Sequence, residues 1–206
     1  MSGRSRARGY TITELLMSLS VLAIGVAGVI AMQRVTLAAN RHARDIAVAT
    51  RIGQAWADQL AADGMLWGVD ANNASTLPNT VWLSKTTPSD VTGTWFLPAY
   101  SPARGFGPAF GPLGQSHDNA LNPELDHFCT HLRLAFVEQE KTPTTGNGVI
   151  RAQVRVFWLR DDQAVAAPGT NVCVDATTLE NNIGAFHVLN FTTSVRQLPA
   201  AKQVPP

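Results

Sequence analysis

The sequence predicts an α+β fold in which a long N-terminal helix, transmembrane in its first half, packs on an antiparallel β-sheet head. Three observations carry that prediction. All twelve prolines of the 206-residue chain lie between Pro78 and Pro206, and all eight phenylalanines lie between Phe96 and Phe191. Proline breaks helices, so a proline-free, alanine-rich first 63 residues followed by Pro/Gly-punctuated, aromatic-rich sequence reads as a helix leading into strands. Residues 15–32, LLMSLSVLAIGVAGVIAM, contain no charge. Beyond residue 64, apolar and polar residues alternate in three separate segments, the period of a half-buried strand.

Composition narrows the function classes. With 45% hydrophobic and 15% charged residues the chain has material for a core and does not resemble a disordered polymer. A formal net charge of +1 leaves no electrostatic footprint for nucleic acid. Two cysteines, Cys129 and Cys173, can build neither a four-thiolate zinc site nor a cysteine-dense scaffold. The charge is unevenly placed: residues 1–63 hold seven basic and four acidic residues, the remainder nine and eleven.

Taken in order, the first element is a basic start, MSGRSRARG, with three arginines and no acid. It is expected to stay cytoplasmic, because positive residues flanking an apolar span are retained on that side. Arg34, Arg41 and Arg44 beyond the span favour the opposite orientation, but the leader immediately precedes the first apolar segment and ranks above them. Eighteen residues at about 1.5 Å rise cover roughly 27 Å, close to the thickness of a bilayer's hydrocarbon core. Within it Ser18 and Ser20 can return their hydroxyls to backbone carbonyls, and Gly25 and Gly28 are tolerated in membrane helices. From Val35 onward, Ala39, His42, Ile46, Ala49, Gly53, Trp56 and Leu60 recur at steps of three and four, which marks one helical stripe. Gly64 is a suitable stop after Asp63. The helix therefore spans about 11–63, with an apolar first half that needs lipid or other chains and a one-sided second half that a head can cover.

Two familiar segments share parts of this pattern. A secretory signal peptide has the same basic start and apolar middle, with Val29-Ile30-Ala31 as its cleavage site. An uncleaved anchor has the same length. Neither accounts for Glu14 at the start of the apolar run, since a carboxylate inside a membrane helix costs roughly 2.5–3.5 kcal/mol.

The block Arg8-Gly9, Tyr10-Thr11-Ile12-Thr13-Glu14, Leu15-Leu16 resembles the processing site of type IV prepilins. In that family a basic leader ends in glycine, and an aromatic residue then begins the mature chain, with glutamate at its fifth position. Tyr10 replaces the usual phenylalanine. The resemblance implies cleavage by a prepilin peptidase between Gly9 and Tyr10 and N-methylation of the new terminus. It also implies a role for Glu14 in assembly, by pairing with the Tyr10 amine of a neighbouring subunit. The continuation through Gly25, Gly28 and Met32-Gln33 is similar to PilV-class minor pilins. It covers about the first 35 residues. Three regions follow: a leader 1–9, a long helix 10–63 with its transmembrane half at about 15–32, and a globular α+β head 64–206. In physical terms, a carboxylate in the first helical turn sits favourably near the positive end of the helix dipole. Its burial cost can be offset by a cation from another chain, and such pairing gives docking a register.

The head begins with a loop-heavy stretch, 77–114, carrying six prolines. Strands are expected at 128–138, with Phe128, Leu132, Leu134 and Phe136 on one face, at 149–160, with Ile150, Ala152, Val154, Val156 and Trp158 on one face, and at 185–196. Thr144-Thr145-Gly146-Asn147-Gly148 is a hairpin-type connection between the first two. Such a sheet wants a cover, and the helical stripe at 46–60 supplies it.

Candidate chemistry in the head is sparse. Outside the membrane, Cys129 and Cys173 are expected to form a disulfide across two strand regions, with two unpaired core thiols as the alternative. Glu124, His127, Cys129 and His131 look superficially like metal ligands, but neither helix nor strand geometry brings all four together, so no metal site is assigned. The glycine-rich run 105–112 lacks the lysine of a phosphate loop, Asp161-Asp162 sits at a turn, and no nucleophile elbow or zinc-protease motif occurs. No enzymatic activity and no cofactor are expected. Phe96, Tyr100, Phe106 and Phe110 are either core aromatics or a partner surface.

The function implied by the resemblance is a minor type IV pilin that assembles through its helix and helps prime pilus assembly at the tip. Its implied partners are the prepilin peptidase, other minor pilins, the major pilin and a tip adhesin. Its implied location is the bacterial inner membrane, single-pass, and then the extracellular pilus. The alternatives are a type II secretion pseudopilin and a membrane-anchored extracytoplasmic binding module.

Overall fold

The computed structural model describes residues 11–70, 74–87, 89–138, 148–160 and 172–198. Its elements are a 53-residue helix α1 (Ile12–Gly64), then strands β1 (Trp95–Phe96), β2 (Ala109–Phe110), β3 (Ser116–His117), β4 (Phe128–Glu138) and β5 (Val149–Leu159). A short helix α2 (Ala176–Asn181) and strand β6 (Phe186–Arg196) follow. By compactness the chain divides inside α1, between Arg44 and Asp45.

In the unit before that division, the helix is apolar all round from Leu15 to Met32. Its membrane-length window is 0% buried within the structure. Ser18 donates to the Leu15 carbonyl at 3.0 Å, Ser20 to that of Leu16 at 2.8 Å and Thr36 to that of Met32 at 2.9 Å. These hydroxyls are thus satisfied without water, which is the condition for residing in hydrocarbon.

In the unit from Asp45 onward, one antiparallel six-stranded sheet runs in the order β3-β2-β4-β5-β6, with β1 also paired to β4. The three long strands fall where the alternation places them. Their inward faces carry Phe128, Leu132, Leu134 and Phe136 from β4 and Ile150, Ala152, Val154, Val156 and Trp158 from β5, all in one core with α1. The helix contributes Val48, Ala49, Ile52, Gly53, Trp56 and Leu60. The stripe expected at 46–60 is therefore shifted: Ile46 stays 39% exposed, and the buried rows include Val48 and Ile52. At 3.6 residues per turn a covered face is wider than one line of residues, so flanking positions are recruited.

Glycine sets the distance between helix and sheet. A side chain at Gly53 would run into the Phe191 ring, and one at Gly64 into Val195, so α1 approaches β6 only because neither position has a Cβ. Of the loop aromatics, Phe110 is fully buried, and Phe106 stacks edge-on against Trp56 at 4.8 Å and Phe110 at 5.4 Å between centroids. Phe96 also packs against this core, while Tyr100 is half-buried. These rings serve the core more than the surface.

Two features depart from expectation. Helix α1 runs one residue past Asp63, through Gly64. The loop-heavy stretch hides β1 and β2, which are two residues long and too short for periodicity to register. The expected hairpin at 144–148 lies outside the described residues except for Gly148, which exchanges hydrogen bonds with Gln197.

Asp63 closes the head. Its side chain is fully buried at the C-terminal end of α1, where the helix dipole disfavours an acid. The carboxylate accepts from the backbone N–H groups of Val81 at 2.8 Å, Trp82 at 2.9 Å and Leu83 at 3.1 Å, and from Arg104 at 2.9 Å. Asp63→Ala leaves those backbone donors and the Nη2 of Arg104 without this acceptor, while Arg104 Nη1 keeps Gln59. The expected loss is about 3–5 kcal/mol, read as a lower denaturation midpoint of the full chain in detergent micelles.

Candidate functional site

The N-terminal site is built on the first turn of α1. Thr11 precedes the helix, and its carbonyl accepts from the N–H of Glu14 at 3.1 Å and of Leu15 at 3.2 Å. Its hydroxyl also lies 3.4 Å from the Glu14 N–H. Thr11-x-x-Glu14 has the spacing of a capping box, so a threonine three positions before the glutamate starts the helix at Ile12. Glu14 is exposed in that first turn and is the one acid there. Its carboxylate is thus held close to the free N–H groups of the helix end. Gly9 and Tyr10 lie outside the described residues.

From Glu14 the chain presents apolar surface. Leu15, Leu16, Leu19, Leu22 and Ile24 are 60–75% exposed. Side chains added at Gly25 and Gly28 would meet nothing within 4 Å, so these glycines answer no close approach inside this chain.

Comparison with known proteins agrees with this anatomy. Residues 4–30 match the family model for the prokaryotic N-terminal methylation motif. No curated protein and no solved structure matches the chain. The motif supports a type IV pilin- or pseudopilin-like protein, and it implies processing by a prepilin peptidase and assembly with other pilins. The single apolar N-terminal helix fits membrane anchoring.

On the outward face of the sheet, a second cluster forms around Cys129 and Cys173. The two are joined in a disulfide, with Cα atoms 5.2 Å apart. The pairing differs from the expectation in one respect: Cys129 is in β4, but Cys173 lies in an irregular segment just before α2 rather than in a strand. Closing 44 residues of chain lowers the entropy of the unfolded state, a contribution of about 4 kcal/mol. The tethered segment covers Phe157 with Val172 and Leu179, a smaller core on the reverse of the sheet. Asp175 caps α2 by accepting from the Thr178 N–H at 2.9 Å, and these bonds hold its carboxyl below the usual range.

Three of the four residues that resembled metal ligands, His127, Cys129 and His131, are otherwise engaged. His131 is fully buried, and its Nε2–H donates to the Val174 carbonyl at 2.8 Å. Its Nδ1 accepts from Arg155 Nε at 3.0 Å. Arg155 also reaches Glu180 at 3.2 Å and lies over the Trp95 ring at 4.4 Å. His127 is 3.8 Å from Asp45. Among the described residues no three such side chains form a metal-binding group. Nearby, Asp126 accepts from His117 at 2.6 Å, while burial raises its pKa.

Sequence reasoning overlooked two residues at these sites. Asp63 was readable in principle, because an acid at a helix C-terminus needs a compensating task. The Arg155–His131 bond had no signal, since it joins residues 24 apart through strand register.

Burial lowers the His131 pKa from 6.5 to about 4, and the neighbouring Arg155 cation adds to it, while Val174, Asp175 and Glu180 oppose it. The unfolded chain therefore takes up this proton as pH falls below 6.5, whereas the folded chain resists until about 4. The resulting stability is complete above pH 6.5 and declines between pH 6.5 and 4, by about 3 kcal/mol in total. Comparing denaturation midpoints of the native chain and His131→Gln across that window isolates the effect, because Asp126 contributes with the opposite sign in both. The slope should flatten in the variant.

Proposed function

We propose that this chain is a minor type IV pilin. The observation that supports it most directly is the match over residues 4–30 combined with a helix whose apolar first half is uncovered among the described residues. On this reading the peptidase cuts between Gly9 and Tyr10 on the cytoplasmic side of the inner membrane. The new Tyr10 amine is methylated, and Glu14 pairs with the corresponding terminus of a neighbouring subunit. Apolar helices that leave the lipid can then bundle without re-exposing surface to water.

The PilV-like continuation after Glu14 and the 143 residues following Asp63 favour a low-abundance subunit with a recognition surface over a bulk one. We assign it to the priming assembly at the pilus tip, with other minor pilins, the major pilin and a tip adhesin as partners. It is a structural component, with no reaction of its own. A pseudopilin of a type II secretion system shares the N-terminal chemistry and is the second reading, favoured by the same motif match.

Two measurements test the proposal. N-terminal sequencing of the mature chain should return Tyr10; an intact Met1 or a start at Met32 refutes it. In Glu14→Ala, processing should persist while filament incorporation falls on the order of tenfold or more, the consequence of leaving one partner of a poorly solvated charge pair alone. Normal incorporation would show that Glu14 has no docking role.

A further inference from the structure

Among the described residues the β6 edge of the sheet is unpaired. Strand β6 pairs with β5 through eleven consecutive partners, Val149↔Arg196 to Leu159↔Phe186, with no shift of register. At one end Arg160 N–H donates to the Ala185 carbonyl, and at the other Gln197 N–H donates to the Gly148 carbonyl. Antiparallel hydrogen bonds alternate along a pair, so the positions between these ends that face β5 are 187, 189, 191, 193 and 195. The N–H and C=O groups of Val188, Asn190, Thr192 and Ser194 therefore point away from the sheet. Among the described residues no hydrogen bond reaches them. The open row is about 20 Å long.

Natural sheets blunt such edges with proline, lysine, bulges or a covering loop. The strand FHVLNFTTSVR has no proline, glycine or lysine, and its only formal charge is the terminal Arg196. Asn190, Thr192 and Ser194 are exposed. On the inner side Leu189 and Phe191 are only partly buried, so the core ends there unfinished.

Charge selects the partner. On the outward face Asn190 lies beside Arg155 and Ser194 beside Arg151, with Arg133 one strand further and Arg196 at the end. The Nε of Arg151 and the Nη2 of Arg155 are buried and without partners among the described residues. The acids on this face are Glu138, Asp175 and Glu180, of which Asp175 is already bonded to Thr178 and Glu180 to Arg155. No acid occurs between Ile183 and Leu198.

We infer that β6 accepts an added antiparallel or parallel strand from a different polypeptide, one with apolar residues facing Leu189 and Phe191 and acidic residues alternating on the outward side. Main-chain hydrogen bonds supply affinity and the alternate side chains supply selectivity. A second copy of this chain is a poorer occupant, because its own β6 offers arginine and no carboxylate. The inference concerns the head alone and does not depend on the pilus reading.

The probe is a synthetic ten-residue peptide alternating valine and glutamate, titrated into the full chain in detergent micelles and followed by calorimetry and amide hydrogen exchange. Saturable binding should slow exchange at Val188, Asn190, Thr192 and Ser194. N-methylation of the peptide on its β6-facing amides, or Thr192→Pro in the protein, should weaken binding roughly tenfold or more by removing edge hydrogen bonds. Should Thr192→Pro fail to fold, the N-methylated peptide decides the matter on the native chain. Lysine in place of glutamate should also weaken it. The inference is overturned by no saturable binding, by protection elsewhere, by equal affinity for the lysine peptide, or by self-association that protects the same amides without peptide.

Discussion

Apolar surface on α1 must leave water, and the chain covers only part of it. From Val48 to Leu60 the helix lays Ile52, Trp56 and Leu60 on the inner face of the sheet, where each is at most 2% exposed. Fully burying side chains of this size contributes about 1.5–3 kcal/mol apiece. The rest of the head is arranged around that contact. Gly53 and Gly64 permit the close approach, Phe106 and Trp82 close over Trp56, and Asp63 ties the helix end to the 81–83 backbone. The apolar window before Arg44 is 0% buried among the described residues, which fits membrane anchoring.

The outward face of the sheet follows a different logic. It holds its covering segment by a covalent bond and a polar relay rather than by a large core. The Cys129–Cys173 disulfide anchors the segment, and the Nε2–H tautomer of His131 links Val174 to Arg155. Burial is the main force against charging the ring, and protonating Nδ1 would in addition break its bond to Arg155 and set two cations side by side. A disulfide in this position suits an oxidising compartment, in keeping with a head outside the membrane.

The two ends of the molecule differ in how they present unsatisfied groups. At the N-terminus the Glu14 carboxylate sits in the first turn of an exposed apolar helix, and the proposed docking assigns a neighbour's cation to it. At the β6 edge the unsatisfied groups are main-chain, repeated every second residue, and can be read by any strand of suitable side-chain pattern. On the proposed reading, a contact of the first kind would fix register, whereas one of the second would add area with modest selectivity.

Much of this architecture was legible in the chain. Helix α1 and the three long strands are encoded by short-range periodicity, 3.6 and 2 residues, which survives without knowledge of partners. The prepilin-like block is likewise local, because a peptidase and a helix terminus both read adjacent residues. Other features were decided only by tertiary structure. Strands β1 and β2 exist because β4 offers an edge to pair with, not because two residues carry a pattern. Asp63 with Arg104, His131 with Arg155, and the β6 edge that no described residue pairs all depend on which distant segments become neighbours. Sequence order does not state that, since hydrogen bonds and ion pairs act over a few ångströms while these residues are separated by tens of positions along the chain.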